Sequence, residues 1–280
     1  MRKVDLLFPG GKQKALTFSF DDGVTQDGRL MDLFKRYHMK ATFNLNSGCF
    51  GEKHAPTKEK PIAHNRYEEA EIKERYTGFE IAVHGYQHIR LSSVPSTVQT
   101  YELAFDKYHL EKILDQRILG AAYAYGTYNA DTLKIMDLLD LEYGRTTVSS
   151  HTFLFPEDFR QWHPTCHFLE TSIDELITKF LEKNTKREPF KIFYIWGHSF
   201  ELDIDDRWEF FEKKLQRLAD QEDIWYATNG EIVRYKKCFD QLKYSMDGSK
   251  IYNESNQDIW IDVDGKIYRI KAGDAVIAAD

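Results

Sequence analysis

The feature that most constrains the fold is a repeated alternation of short apolar segments with longer amphipathic ones. β-branched and aromatic residues predict buried strands at positions that include 15–20, 41–46, 79–83, 117–124, 190–196 and 224–227. Between these strands apolar residues recur at spacings of three and four, as they do in the helical pattern of Leu30, Leu33, Phe34 and Tyr37. Seven or eight such βα units with short connections favour a parallel α/β barrel over a sandwich or a helical bundle.

The pattern changes after about Gln241, which divides the chain into two predicted parts. Tyr, Ile and Val alternate there with polar residues, and the steps Asp247-Gly248 and Asp264-Gly265 are hairpin signals. We therefore expect a barrel over residues 1–241 and a small C-terminal antiparallel β appendage over residues 242–280. A chain of 280 residues with 42% apolar content is long enough for one barrel core and such an addition.

Charge, hydropathy and cysteine content exclude several classes of partner. The formal net charge of −7 provides no positive field for a phosphate backbone, so nucleic-acid binding is not expected. The first ten residues contain no apolar stretch of the length that an export signal or a membrane span needs, which predicts a cytoplasmic protein without membrane contact. Cys49, Cys166 and Cys238 are odd in number and widely spaced, as expected for free thiols in a reducing compartment. The oligomeric state stays open.

Side chains capable of chemistry follow several of the predicted strands. Asp21 and Asp22 close the first strand, and His84 closes the third, with His88 four residues later. His198 follows a late apolar strand. In a parallel barrel the carboxyl ends of the strands share one face, so these groups are expected together. One carboxylate and two imidazoles are a ligand set suited to Zn²⁺ or a similar divalent ion, with positions left for water and substrate.

The motifs around these residues are similar to those of one known family. The three motifs that carry the similarity are Thr17-Phe18-Ser19-Phe20-Asp21-Asp22-Gly23, His84-Gly85-Tyr86-Gln87-His88, and His198 at a late strand end. Over about residues 14–235 the chain resembles the polysaccharide deacetylases, also called the NodB-homology or carbohydrate esterase 4 family. The resemblance implies a distorted (β/α)7-type barrel and the metal-dependent hydrolytic removal of an N- or O-acetyl group from a carbohydrate substrate.

The resemblance also implies a role for each matching residue. Asp22, His84 and His88 would bind the metal ion, which is Zn²⁺ by preference, with Co²⁺, Ni²⁺ or Mn²⁺ as alternatives. Asp21 would be the general base that activates the attacking water, and His198 would protonate the leaving amine or alcohol.

Five further residues are predicted to face the substrate. The backbone N–H of Tyr125 would bind the oxyanion of the tetrahedral intermediate. Tyr86, Tyr123 and Trp162 offer aromatic faces for a sugar ring. His163 adjoins Trp162 and is the member of its local histidine group that we expect in the cleft.

Two motifs depart from the family pattern and indicate a divergent subgroup. The third family motif is typically Arg-x-Pro-Tyr-Gly, whereas the corresponding stretch here is Ala122-Tyr123-Ala124-Tyr125-Gly126. The arginine that orients the base is absent, so Asp21 either has another partner or works with a higher pKa and looser positioning. In the second motif Gly85 stands where a serine or threonine hydroxyl would brace the loop.

The fourth motif departs as well, and it leaves the partner of His198 unidentified. The family pairs an Asp with a Trp there, but the residue before Trp162 is Gln161. A carboxylate that raises the basicity of His198 must therefore come from elsewhere. The candidates by proximity in sequence are Asp158, Glu201 and Asp203.

Alternatives remain for a second histidine cluster and for the function. His163, Cys166 and His167 could bind a metal, but Pro164 prevents a regular helix, so a structural or substrate-lining loop is preferred. The preferred function is a carbohydrate deacetylase acting on N-acetyl groups. The alternatives are a C–N hydrolase of the same superfamily that acts on a cyclic amide or ureide, and a non-catalytic sugar-binding protein.

Overall fold

A curled parallel sheet with helices packed on its outer face forms the centre of the fold. The computed structural model describes residues 3–277. Its strands are β1 (Val4–Leu7), β2 (Lys14–Asp21), β3 (Thr42–Leu45), β4 (Glu80–Val83), β5 (Gly120–Ala122), β6 (Tyr143–Arg145), β7 (Cys166–His167), β8 (Lys191–Gly197), β9 (Ile224–Tyr226), β10 (Lys243–Tyr244), β11 (Lys250–Tyr252), β12 (Ile259–Val263), β13 (Lys266–Ile270) and β14 (Ala275–Ile277). Its α-helices are α1 (Asp27–Arg36), α2 (Glu69–Arg75), α3 (Ser96–Leu114), α4 (Ala130–Leu138), α5 (Ile173–Leu181), α6 (Trp208–Leu218) and α7 (Asn229–Asp240). Within residues 3–277, none of these helices has the length and apolar character needed to cross a membrane.

The parallel sheet has the topology of a distorted barrel. Seven strands follow one another in the order β6-β5-β4-β3-β2-β8-β7, and β9 pairs with β2 beside this path. The two ends of the sheet are linked through residues 162–167, because Trp162 bridges to Arg145 of β6 while β7 pairs with β8. The predicted α/β fold, a distorted (β/α)7-type barrel, is confirmed.

Strand β2 shows why polar groups converge at one end of this barrel. All eight of its residues are buried, as expected for a central strand covered on both faces. Phe18 and Phe20 pack against the helices α1 and α6 on the outer face. Thr17 and Ser19 point the other way and make hydrogen bonds in the barrel interior. Because side chains alternate along a strand, Asp21 continues the interior face at the carboxyl end.

The C-terminal strands form small antiparallel sheets, as predicted. The two sheets have the orders β1-β12-β13 and β10-β11-β14. Asp264 and Gly265 join β12 to β13 with positive φ values of 52° and 91°, which suits a tight hairpin turn. Strand β1 pairs with β12. The N-terminal strand therefore belongs to a sheet that we expected to be formed by residues 242–280 alone. The predicted boundary between barrel and appendage, at residues 241 and 242, stays a prediction. Residues 1–2 of the predicted barrel and residues 278–280 of the predicted appendage lie outside the described residues.

Asp27 and Asn229 begin α1 and α7 and are residue types that favour helix N-caps, but their side chains bond elsewhere. Asp27 is fully buried and accepts hydrogen bonds from Tyr76 and Ser199, so it does not cap α1. Thr228 rather than Asn229 caps α7, since its hydroxyl oxygen accepts the Glu231 N–H. The side chain of Asn229 instead bonds to Thr17 and Tyr194 in the barrel interior.

Candidate active site

A cavity of about 440 Å³ lies at the carboxyl ends of the parallel strands. Its lining residues are Asp21, Asp22, Glu59, Lys60, His84, His88, Tyr125, Thr147, Trp196, His198, Phe200, Glu201 and Ile204. A larger cavity of about 640 Å³ lies at the amino ends of β2 and β8, and the described residues that line it include no histidine or cysteine. The smaller cavity is therefore the candidate active site.

One carboxylate and two imidazoles meet in this cavity. Nε2 of His84 lies 3.7 Å from Oδ1 of Asp22, and Nε2 of His88 lies 3.4 Å from the same oxygen. One atom of each residue lies within 4.8 Å of the other two. Burial lowers the pKa of both imidazoles, that of His88 to about 4, so each is neutral near pH 7. Neutral imidazoles and a carboxylate are the donors that Zn²⁺ takes in proteins.

The hydrogen bonding of His84 makes one ring nitrogen available to an ion. Nδ1 of His84 lies 2.8 Å from the backbone oxygen of Ala122 and must carry the proton, because a carbonyl only accepts. Nε2 is then an acceptor, and it is buried without a hydrogen-bond partner among the described residues. Such an orphaned acceptor is costly unless something binds it. The donor set therefore fits a divalent metal ion, and its second-sphere hydrogen bond is of the kind that orients a metal-binding histidine.

Buried polar groups behind the histidine turn hold it in place. The amide of Asn46 donates to the backbone oxygens of His84 and Gly85, both at 2.7 Å. Asp106 on α3 accepts the backbone N–H of His84 at 3.0 Å. Gly85 has a φ of 83°, a region that L residues rarely adopt, and a Cβ there would lie 3.3 Å from Glu102. The turn is thus braced without the hydroxyl that the sequence lacks.

Asp21 has a cationic partner that the sequence did not reveal. Nη2 of Arg145, at the end of β6, is paired with Oδ2 of Asp21, and Arg145 is fully buried. Asn44 donates to the other oxygen of Asp21 at 2.7 Å. Burial alone would raise the pKa of Asp21, but Arg145, with the imidazoles of His84 and His198, holds it below its ordinary value. The only sequence signal for Arg145 was its place at a strand end, directly after Gly144.

The partner of His198 is Glu201. Oε2 of Glu201 lies 3.4 Å from Nδ1 of His198 and 3.0 Å from Nε2 of His167. Burial opposes the charged imidazolium, yet the carboxylates of Glu201, Asp22 and Asp21 raise the pKa of His198 to about 9. The other two candidates are engaged elsewhere, Asp158 with Arg160 and Asp203 with the indole of Trp208.

Four residues predicted to face the substrate lie outside the cavity lining. Tyr123 is fully buried and its hydroxyl donates to a backbone oxygen 2.7 Å away. Trp162 is 2% exposed and packs against Tyr194 in the core. The ring of Tyr86 turns toward α3, and His163 borders a separate cavity. Tyr123 and Trp162 are thus core residues of the fold.

The lining includes aromatic residues on either side of the acid–base groups. Tyr125 is half exposed, with its ring 4.8 Å from that of His88. Trp196 and Phe200, which flank His198 in sequence, form the facing wall, with ring centroids 5.8 and 5.1 Å from the imidazole of His198. Trp196 and Phe200 each lie two residues from His198 in the sequence, and this proximity to a histidine at a strand end could have identified them as lining residues.

The second histidine cluster does not assemble. His163 shares a 2.6 Å hydrogen bond with Thr146, whereas His167 is paired with Glu201. Cys166 is buried in the core, and burial raises the pKa of its thiol well above the ordinary value. These residues belong to the segment that links the two ends of the sheet. Of the three, His167 also contacts Glu201, which lines the cavity.

Comparison with known proteins finds relatives of the first half of the chain. The polysaccharide deacetylase family model matches residues 9–144. YxkH, a polysaccharide deacetylase homologue of Bacillus subtilis (strain 168), is 28% identical over 137 residues, which are 48% of this chain and 45% of YxkH. The match thus spans less than half the length of that relative.

Two solved structures extend the comparison. A structure from Mycobacterium smegmatis described as a polysaccharide deacetylase shares the fold, with a TM-score of 0.57 and 16% identity over 86% of this chain and 96% of that chain. The Streptococcus pyogenes deacetylase PplD in complex with acetate is 30% identical over 47% of this chain and 55% of that chain, with a TM-score of 0.40. Arg145, His198 and Glu201 lie beyond the segment that the family model matches.

Proposed function

We propose that this chain is a metal-dependent hydrolase that removes acetyl groups, by preference N-acetyl groups, from a carbohydrate, and the similarity of residues 9–144 to the polysaccharide deacetylase family model supports this function. One observation carries the proposal. Asp21, Asp22, His84, His88 and His198 all line one cavity at the carboxyl ends of the strands. Three of them form a metal-ligand set, and the other two supply a base and an acid.

The ligand set proposed for the ion is Asp22, His84 and His88. Zn²⁺ is the preferred ion because imidazole nitrogens and a carboxylate oxygen are its usual donors, and Co²⁺, Ni²⁺ or Mn²⁺ are alternatives. When bound, such an ion would polarise the acetyl carbonyl and acidify water. His84 is held ready for this role by its bond to Ala122.

Asp21 takes the proton of the attacking water. Its carboxylate is held on both oxygens, by Arg145 on one and by Asn44 on the other, which fixes its orientation toward the cavity. Because Arg145 keeps the pKa of Asp21 below its usual range, the group is ionised and able to accept a proton near pH 7.

His198 donates a proton to the leaving nitrogen or oxygen. Nε2 of His198 lies 3.8 Å from Oδ2 of Asp21, so base and acid face the same space. The carboxylate of Glu201 lies 3.4 Å from Nδ1 of the same ring. With a pKa of about 9, His198 is protonated near neutral pH, as a general acid must be.

The remaining lining suits a sugar substrate. The backbone N–H of Tyr125 is the proposed donor to the oxyanion of the tetrahedral intermediate. The faces of Tyr125, Trp196 and Phe200 offer apolar surfaces against which the C–H groups of a sugar ring can pack.

Two substitutions test the assignment. Asp21→Asn should keep the metal and lose turnover by at least about 10²-fold, because only the base is removed. His84→Ala should lose both metal and turnover. The measurements are elemental analysis of the purified protein and acetate release from a panel of N- and O-acetylated sugars. Asp205→Asn, an exposed carboxylate outside the cavity lining, is the matched control and should behave as the unsubstituted protein.

Three outcomes would contradict the proposal. Full activity in Asp21→Asn would exclude the assigned base. Ring opening of cyclic amides or ureides without acetate release would show a C–N hydrolase of another specificity. Saccharide binding without any turnover would show a non-catalytic sugar-binding protein.

A further inference from the structure

The segment between β3 and α2 contains a buried arginine, Arg66, whose side chain contacts Asp22 of the candidate site. This segment folds back on itself, with backbone hydrogen bonds from Arg66 to Glu52 and from Gly51 to Tyr67, both at 2.9 Å. Arg66 also forms an antiparallel bridge with Val24, just beyond β2. Arg66 is 7% exposed, so its guanidinium is buried beside Asp22 rather than in solvent.

The guanidinium of Arg66 connects the ends of two strands. Nη1 donates to the backbone oxygen of Asp22 and, at 2.7 Å, to Oδ1 of Asn46. Nη2 lies 3.4 Å from Oδ1 of Asp22. Asn46, which follows β3, donates in turn to the backbone oxygens of His84 and Gly85. A continuous chain of hydrogen bonds therefore runs from Asp22 through Arg66 and Asn46 to the turn that carries His84.

This chain of bonds adds a side-chain link to the backbone bonds of the sheet. Asp22 follows β2 and His84 follows β4, with β3 between them, and the N–H groups of Asp22 and His84 donate to β3 at 3.0 Å. The carbonyl oxygens of Asp22, His84 and Gly85 are bound instead by the side chains of Arg66 and Asn46. Asp22 also has a φ of 82°, a backbone conformation that residues with a Cβ rarely adopt. The bond from Arg66 to its carbonyl oxygen stabilises that conformation.

We propose that Arg66 is a positioning residue that sets the separation between the Asp22 carboxylate and the His84 imidazole, and thereby the affinity and coordination geometry for a divalent ion. The inference rests on the proposed function for the presence of the ion. Lysine cannot take this role, because its ammonium is a single point charge, whereas the planar fork of arginine serves two acceptors at fixed angles.

A titration of the metal-stripped, full-length protein with Co²⁺, followed by visible absorption, tests the proposal. Arg66→Lys and Arg66→Met should each raise the Kd for Co²⁺ roughly 10–100-fold, as loss of an outer-sphere partner does, and should shift the absorption bands of the bound ion. Arg160→Lys and Arg160→Met are matched controls, because Arg160 makes its ion pairs with Asp158 and Asp137 outside the cavity lining. Both controls should keep the unsubstituted Kd and spectrum.

A second variant tests whether the hydrogen-bond chain acts as a unit. Asn46→Ala removes the link to His84 and should also raise the Kd. In Arg66→Lys/Asn46→Ala the effects should be less than additive, because either change alone breaks the same connection.

Three results would overturn the inference, and each is distinct. Tighter Co²⁺ binding in Arg66→Met with no change in Arg66→Lys would show that Arg66 acts only by its charge. An unchanged Kd and spectrum in both variants, with a lower melting temperature, would show a purely structural role. Failure of the unsubstituted protein to bind Co²⁺ would overturn the proposed metal site itself, and the inference with it.

Discussion

The ion pair of Arg145 and Asp21 is fully enclosed by the barrel. Arg145 has no exposed surface, and its guanidinium lies 4.5 Å from the ring centroid of Trp196. It reaches Asp21 from β6, on another side of the barrel, and so supplies the cation that the altered third motif lacks. A cation from β6 can take this place because the carboxyl ends of all the parallel strands lie at the same face of the barrel.

We expect Arg145→Met to lower the free energy of unfolding by about 3–5 kcal/mol, because the buried carboxylate of Asp21 is left without a counter-ion. Arg145→Met/Asp21→Asn should recover part of that loss, since the uncompensated charge is then gone. Urea unfolding followed by circular dichroism measures both. Arg217→Met, which breaks a surface pair with Asp174, is the control and should cost less than about 1 kcal/mol. Equal losses in the single and double variants would contradict the argument.

Helix α3 has an unusual distribution of polar and apolar residues. It buries Glu102 and Asp106 and exposes Tyr101, Phe105 and Tyr108. The buried carboxylates accept backbone N–H groups from the histidine turn and from the short helical turn after β3. Glu102 and Asp106 therefore lie on the buried face of α3, where their carboxylates accept backbone N–H groups behind the candidate site. Simple amphipathic reasoning would have placed the aromatic stripe in the core.

Asp27 ties three elements together at the start of α1. It accepts hydrogen bonds from Tyr76, after α2, at 2.6 Å, and from Ser199, after β8, at 2.5 Å. Burial raises its pKa to about 7, and the carboxylates of Asp21 and Asp22 add to the rise, although the two hydrogen bonds act against it. Since Ser199 follows His198 directly, this contact also supports the loop that carries the proposed acid.

The raised pKa of Asp27 predicts a pH-dependent stability. A carboxyl whose pKa is higher in the folded state contributes stability below its unfolded value of about 4, and this is lost as the pH rises through about 7. We expect Asp27→Asn to lack that loss, so its stability relative to the unsubstituted protein should grow by a few kcal/mol between pH 4 and pH 8. Urea unfolding at four pH values measures the difference. Asp131→Asn, at an exposed site, should show no such trend, and a constant difference for Asp27→Asn would contradict the assignment.

At the scale of the whole molecule, Tyr235 joins the N-terminal strand, the last helix and the C-terminal sheet. Its hydroxyl donates to the backbone oxygen of Leu7 at 2.7 Å and accepts the backbone N–H of Trp260 at 2.8 Å. Both partners are strand residues of the β1-β12-β13 sheet, and Tyr235 itself lies on α7. This buried side chain thus adds hydrogen bonds to the apolar packing that holds the first and last parts of the described chain against the barrel.

Tyr235→Phe should lower the free energy of unfolding by about 1–3 kcal/mol, because it leaves a buried N–H and a buried carbonyl without their partner. The Kd for Co²⁺ should not change, because the proposed metal ligands lie at the carboxyl ends of the parallel strands and Tyr235 does not contact them. Thermal unfolding and the Co²⁺ titration give the two readouts. The half-exposed Tyr244 supplies the control, since Tyr244→Phe should have little effect on stability. A weakened metal site in Tyr235→Phe would contradict this separation.

The sequence alone predicts the parallel barrel, the antiparallel C-terminal strands and the convergence of the reactive groups. Periodicity and turn residues are local signals, and parallel strands must place their carboxyl ends at one face. For that reason Asp21, Asp22, His84, His88, Tyr125 and His198 could be expected together, and all six line the cavity. The chemical roles of these residues stay predictions that the experiments above address.

Only the tertiary structure decides which side chains become partners. Arg145 and Arg66 meet Asp21 and Asp22 through loops and strand ends whose directions no local pattern encodes, and the structure selects Glu201 from the three carboxylates near His198 in sequence. The same holds for Tyr123 and Trp162, which are buried because neighbouring elements close over them. Local propensity specifies an element, but the partner of a buried charge is set by packing and by the cost of leaving that charge unpaired.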